Sequence, residues 1–146
     1  MIHLKPITPD NINDFAGTSY ETMPLEQKQK MIEESRNNSH NGFYFEVLVV
    51  YKNDEVMGFV NLYAHSKHII SCGPEIKKKF QNNGLGTIAE TMALAYAKDK
   101  GYTIAVGYVD KNSTASIALH EKLGFESDRT YSNKTKRTIR LYLKAL

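Results

Sequence analysis

Apolar and polar residues alternate from Ile2 to Ile7, as in a strand with one buried face, and Thr8-Pro9-Asp10 then offers an N-cap with proline at the first helical position. The pattern predicts a helix from Pro9 to about Gly17 and a second from Leu25 to Asn37. Leu25, Met31 and Ile32 are the sparse apolar anchors of the second, which is otherwise Glu, Gln and Lys. Phe43 to Lys52 is rich in Val, Tyr and Phe, Asn53-Asp54 is turn chemistry, and Glu55 to Ala64 is a second β-type run, so the two read as a hairpin. A third run, His68 to Lys77, follows a short polar link. Gly73-Pro74 interrupts it, and because proline donates no N–H the strand should be irregular or lie at an edge there.

The clearest helical period comes next. Leu85, Ile88, Ala89, Met92 and Tyr96 share one face of a helix from about Gly84 to Lys100, closed by Gly101. Tyr102 to Val109 reads as a strand, Ser113 or Thr114 caps a helix to Leu123, and Gly124 stops it. Phe125 to Tyr131 and Thr138 to Lys144 are the last strands. The order β-α-α-β-β-β-α-β-α-β-β predicts an α/β fold with a mixed sheet, in one domain spanning residues 1–146.

Composition narrows the function classes. At 146 residues and 41% hydrophobic the chain can bury a core. No apolar run approaches the ~20 residues that span a bilayer, so no membrane partner is expected. The first residues lack the basic start and apolar stretch of a signal peptide, which predicts a cytoplasmic protein. Cys72 is the single cysteine, so an internal disulfide is excluded and a small buried thiol is the expected role. The formal charge of +3 suits a polyphosphate ligand but is too small to argue for nucleic acid. Arg129, Lys134, Lys136 and Arg137 carry one interleaved aromatic, Tyr131, and no nucleic-acid motif. His65 and His68, three apart in a strand, should point to opposite faces, so no metal is expected.

Gln81-Asn82-Asn83-Gly84-Leu85-Gly86 opens the long helix. Free amides at a helix start, the positive end of the helix dipole and closely approachable glycine backbone together bind anions, and a pyrophosphate is the inferred ligand. Neither nucleotide fingerprint fits: no Lys-Ser/Thr follows at the P-loop distance, and Ala89 stands where GxGxxG needs its third glycine. The stretch IKKKFQNNGLGT, Ile76 to Thr87, instead resembles the Q/R-x-x-G-x-G/A signature of the GNAT N-acetyltransferases. Asn112 to Phe125, NSTASIALHEKLGF, resembles that family's second block, N-x-x-(A/S)-I-x-L-Y-E-K-L-G-F, with two departures. The family Asn falls on Ser113 with Asn112 one residue early, and the family Tyr is replaced by His120.

The resemblance implies a GNAT fold, a mixed, mainly antiparallel sheet with a splayed central strand pair and flanking helices, and acetyl-CoA as co-substrate. It implies that the amides of Gln81, Asn82, Asn83, Gly84, Leu85, Gly86 and Thr87 hold the pyrophosphate, while main-chain groups of Ile76 and Lys78 pair with the pantetheine arm. Asn112 or Ser113 would fill the family Asn position. His120 would protonate the departing thiolate; its other reading is a packing residue. Lys77, Lys78 and Lys79 could attract phosphates or form a solvated face. For a general base the sequence offers Glu75, Glu46, Asp110 and His68, with Glu75 preferred for its place beside the expected acceptor cleft. The implied activity is acetyl transfer to a primary amine of a small, amino-acid-like acceptor, with a homodimer among the implied assemblies. The rival is a non-catalytic acyl-CoA-binding module on the same fold.

Overall fold

The computed structural model describes residues 1–146. The strands are β1 (Ile2–Pro6), β2 (Phe45–Lys52), β3 (Glu55–Ala64), β4 (Ile69–Ile76), β5 (Ile104–Asp110), β6 (Glu126–Ser132) and β7 (Thr138–Ala145), and the α-helices are α1 (Leu25–Arg36), α2 (Leu85–Asp99) and α3 (Thr114–Lys122). They build one seven-stranded sheet in the order β1-β2-β3-β4-β5-β7-β6, antiparallel throughout except for the parallel pair β4–β5. This is the predicted mixed α/β sheet. No helix is long and apolar enough to cross a membrane.

Both faces of the sheet are covered at β2, which explains why it reads as a continuous apolar run rather than an alternating one. Leu48 and Val50 pack toward α2, with Ala89, Ala93 and Ala97. Phe45, Val47 and Val49 pack on the other face with Ile7, Phe15 and Ile32. The thin apolar stripe of α1 therefore suffices, because Ile32 is its main buried anchor.

Three boundaries differ from the sequence reading. The first helix is a 3-10 helix, Pro9–Phe15, ending short of Gly17. Asn11 is drawn to the backbone, accepting the Thr8 N–H at 3.0 Å, the kind of local bond that favours tight turns over α-helix. Phe43 does not join β2: it exchanges backbone hydrogen bonds with His40 at 2.9 and 3.0 Å in a turn. The third run ends at Ile76, and Lys78–Phe80 is a 3-10 turn rather than strand.

β4 and β5 pair for two residues only, Ile69 with Ile104 and Ile70 with Ala105, and then diverge. On its other side β4 keeps an unbroken ladder with β3 from Ala64–Ile70 to Gly58–Ile76, so the irregularity expected at Gly73-Pro74 lies entirely toward β5. Its cause is legible in the hydrogen bonds. Lys77 N–H reaches Met57 O and His65 N–H reaches Ile69 O, which fixes the odd-numbered residues of β4 as those bonded to β3. Cys72, Pro74 and Ile76 thus turn their backbone groups toward β5, and Pro74 has no N–H to give. By the same alternation, set by Leu146 N–H to Thr103 O and Lys111 N–H to Thr138 O, Val106 and Tyr108 turn theirs toward β4.

One buried group is at odds with its surroundings. Glu90 on α2 is 2% exposed, and neither carboxylate oxygen has a hydrogen-bond partner. Burial pushes its carboxyl up to about 8 from an ordinary 4.5. The folded chain therefore retains a proton that the unfolded chain has released between those values. The associated stability is complete below about pH 4.5 and is lost as pH rises toward 8. Glu90→Gln should flatten that loss, leaving the variant more stable than wild type by on the order of 2 kcal/mol near pH 7.5. Urea unfolding at several pH values checks this; parallel pH profiles for the two proteins would contradict it.

Candidate active site

The divergence of β4 and β5 opens a cleft of about 660 Å³ that runs from the glycine loop to Ser71 and Val106. α3 closes one flank. At the loop end the amides from Asn82 to Thr87 find no acceptor within the chain; the first bond of the helix is Ile88 N–H to Gly84 O. Gly84 makes this possible, since its φ of +76° is the left-handed conformation that side chains resist. No acidic residue lies in the first turn of α2 to compete for an anion. Gln81, Asn82, Gly84, Leu85, Gly86 and Thr87 all line the cleft. Gln81 also braces the loop by donating from Nε2 to Ile76 O at 2.9 Å.

His120 lies in the floor. Its Nδ1–H donates to Ser116 O at 2.7 Å, and the ring stacks on Tyr142 and meets Phe125 edge-on. Gly107 on β5 is what admits it. A Cβ there would come within 2.7 Å of Cδ2 and closer still to Nε2, so the imidazole occupies the space a side chain would need. The placement leaves Nε2 against β5, at the wall where the strand turns its unpaired backbone groups toward the cleft.

Other residues singled out from sequence are not brought together here. Lys78 cannot pair with an extended ligand, because its N–H donates to Gly17 O at 3.0 Å and its carbonyl accepts from Gln81 N–H at 3.3 Å. The strand edge that is available comprises Cys72, Pro74 and Ile76, with the Ile76 carbonyl already taken by Gln81. Asn83 is exposed and turned back toward Phe80 O at 3.4 Å. Asn112 and Ser113 are exposed at the start of α3, outside the cleft lining, with Asn112 N–H held by Asp110 Oδ1 at 2.9 Å.

Of the four candidate bases, none lines the cleft. Glu75 belongs to the opposite set of β4 side chains from Cys72 and Ile76, and its Oε1 accepts from Ser19 N–H at 2.8 Å. Glu46 is buried and accepts from the hydroxyls of Tyr44 and Tyr96. Asp110 faces Arg137 at 3.9 Å, and His68 is exposed in a turn. Burial and the nearby Glu90 raise the Cys72 thiol far above its ordinary value, so it is no nucleophile at neutral pH. No group of three or more His, Cys, Asp or Glu could hold a metal ion.

The sequence reading missed Ser71, Val106, Gly107 and Lys122. Lys122 lines the cleft and is its cation, although Lys77 to Lys79 had drawn attention instead. Lys79 is spent on Glu55 and the Phe80 ring. Lys122 carried a usable signal, standing two residues before Gly124 in the second motif block. Gly107 carried none, because only the packed structure reveals what opposes it.

Comparison with known proteins agrees with this geometry. The model of the acetyltransferase (GNAT) family matches residues 10–125. Mycothiol acetyltransferase of Streptomyces coelicolor is 35% identical over 63 residues, which are 41% of this chain and 20% of that protein, so the chain spans only a fifth of its length. Among solved structures, an N-acetyltransferase from Staphylococcus aureus Mu50 superposes with a TM-score of 0.78 at 18% identity, covering 99% of this chain and 98% of its own. A GNAT family acetyltransferase from Elizabethkingia anophelis, solved with acetyl-CoA bound, gives 0.68 at 21% identity, with 99% and 98% coverage. The chain belongs to the GNAT acetyltransferase family.

Proposed function

We propose that this chain moves the acetyl group of acetyl-CoA to a primary amine of a small, amino-acid-like acceptor, by direct attack in a ternary complex. The observation that carries the reading is the run of free amides from Asn82 to Thr87, opening onto a cleft walled by the unpaired backbone of β4 and β5. The amides and Lys122 would hold the pyrophosphate, and Cys72, Pro74 and Ile76 would receive the pantetheine arm as an added strand. The thioester supplies an activated acyl carbon. The protein supplies position, which alone can be worth several kcal/mol. His120, as an imidazolium with Nδ1–H held by Ser116 O, would deliver its Nε2 proton to the departing thiolate.

The rival acyl-CoA-binding module is favoured by one observation: the His120 ring is stacked within the core and 9% exposed. Both readings expect acetyl-CoA at one hundred times its Kd to stabilise the fold by about 2.7 kcal/mol in a thermal melt. Absence of any shift at millimolar acetyl-CoA would refute both. Amine-dependent release of CoA separates them, and in the enzyme His120→Ala should lower kcat at least tenfold while leaving acetyl-CoA affinity within a factor of two.

The cradle is tested by two glycines that sit two residues apart. Gly84→Ala should cost about 1 kcal/mol of stability and weaken acetyl-CoA, because alanine resists the left-handed conformation. Gly86→Ala should spare stability, since the added methyl would lie 3.9 Å from Ile76 Cγ1, an ordinary contact, but should weaken acetyl-CoA, because Gly86 lines the cleft. Thermal melts and calorimetric titration of both variants decide; wild-type acetyl-CoA affinity in both would mean the loop does not bind the ligand.

A further inference from the structure

We infer that His65 is the general base that deprotonates the acceptor amine, an assignment that rests on the acetyl-transfer reading above. The argument starts from a chain of three groups at the point where β4 and β5 part. Ser71 Oγ donates to Val106 O at 2.8 Å, spanning the gap just beyond the last backbone pair. His65 Nε2 lies 2.6 Å from the same Oγ. The hydroxyl has one proton and it is committed to Val106, so Nε2 must carry the proton it shares with Ser71. The imidazole is thereby fixed as the Nε2–H tautomer, and Nδ1 keeps its lone pair.

That lone pair is free. Nδ1 has no hydrogen-bond partner in the chain and is absent from the buried unpaired atoms, so it reaches solvent. The ring is clamped edge-on between Tyr63 at 5.2 Å and Tyr108 at 5.4 Å, both partly exposed, which sets its orientation without occupying Nδ1. Ser71, Val106 and Tyr108 all line the cleft. From Ser71 to Ile76 the strand runs roughly 17 Å, so His65, which is not itself a lining residue but stands directly behind Ser71, lies just beyond the end of the cleft remote from the phosphate cradle. With the phosphates at the glycine loop, the acyl end of an extended ligand points toward His65.

The charge state suits the role. Partial burial lowers the imidazole below its ordinary 6.5, keeping it neutral and able to accept a proton near pH 7. The titratable groups about it are Tyr63 on β3 and Tyr108 on β5, whose phenol is raised by burial and by Tyr131 of β6. Beyond Tyr63 stands His40, paired with Glu34 at 2.6 Å. Lys67 and His68 are exposed in the adjoining turn, and no carboxylate is bonded to the His65 ring. In the reaction, Nδ1 takes one proton from the ammonium and the freed nitrogen pair bonds to the acyl carbon. The C–S bond breaks with its electrons on sulfur, which takes the His120 proton to leave as CoA thiol, and the second nitrogen proton replaces the one His120 has given. His65 then returns its proton to water.

The test uses the full chain with acetyl-CoA and the fastest amine from a panel of the standard amino acids and polyamines. For wild type, kcat should fall on acidification with a midpoint below 6.5 as Nδ1 protonates. His65→Gln, which can still donate to Ser71, should lose about 100-fold in kcat and lose that acidic limb. It should keep the wild-type melting shift with acetyl-CoA, which shows that it is folded. Ser71→Ala, which releases Nε2 but keeps the imidazole, should lose several-fold in kcat and retain the limb. An active wild type with an unaffected His65→Gln, a persisting acidic limb in that variant, or full activity in Ser71→Ala overturns the assignment alone. A wild type that binds acetyl-CoA but acetylates no panel amine overturns the acetyl-transfer reading and this assignment with it.

Discussion

The short life of the β4–β5 pairing governs this molecule. Two residue pairs join the halves of the sheet, and immediately beyond them the strands present unpaired backbone groups to each other across a gap. Buried and left unpaired, such groups would each cost about 1–3 kcal/mol. They persist because the gap is an open cleft, and because specific residues hold it open. Pro74 has no N–H to close it, Ser71 substitutes a side-chain bond to Val106 for the next backbone bond, and the His120 ring on Gly107 wedges α3 against β5. A site able to accept an extended ligand as a strand is thus the local failure of an otherwise regular sheet.

The remaining elements follow from keeping that failure local. The ladder between β3 and β4 is unbroken along its whole length, so β4 is rigid on the side away from the gap. β5 is held equally well by β7, through seven consecutive pairs. Each arm of the opening is therefore backed by a full ladder, and the opening itself can have fixed dimensions. α2 packs on β4 directly beneath the free amides at its own N-terminus, which ties the phosphate cradle to the same rigid arm. Covering both faces of β2 and β3 is what allows the neighbouring strand to carry such unsatisfied edges without the sheet slipping.

Local signals in the sequence were sufficient for the elements and for one end of the site. Hydrophobic period, turn residues and the glycine pair each act over a few residues, so the sheet, α2 and the amide cradle could be read in advance. Misreadings arose where the deciding contact is distant. Lys78 was assigned to the pantetheine arm by the family resemblance, yet the carbonyl that takes its N–H belongs to Gly17, some sixty residues earlier. Glu75 looked like a cleft carboxylate, but strand alternation, fixed by a register that sequence does not display, places it beside Ser19. His65 was weighed only as half of a metal pair. Its meaning depends on Ser71 and Val106, and no pattern along the chain announces that trio.

The two ends of the cleft differ in electrostatic character, and this difference gives the site a direction. At one end free amides, a helix dipole and Lys122 favour negative charge. At the other, an imidazole held neutral stands between two tyrosines, with no cation bonded to it. A ligand carrying phosphates at one terminus and an uncharged acyl group at the other can enter this field in only one sense. On the proposed transfer, an amine arriving as a cation would be disfavoured near Lys122 and would have to shed its proton before attack. Neutral imidazole at the far end meets that need without placing a fixed negative charge beside the acyl carbon, where a carboxylate would hold the amine as its ammonium form.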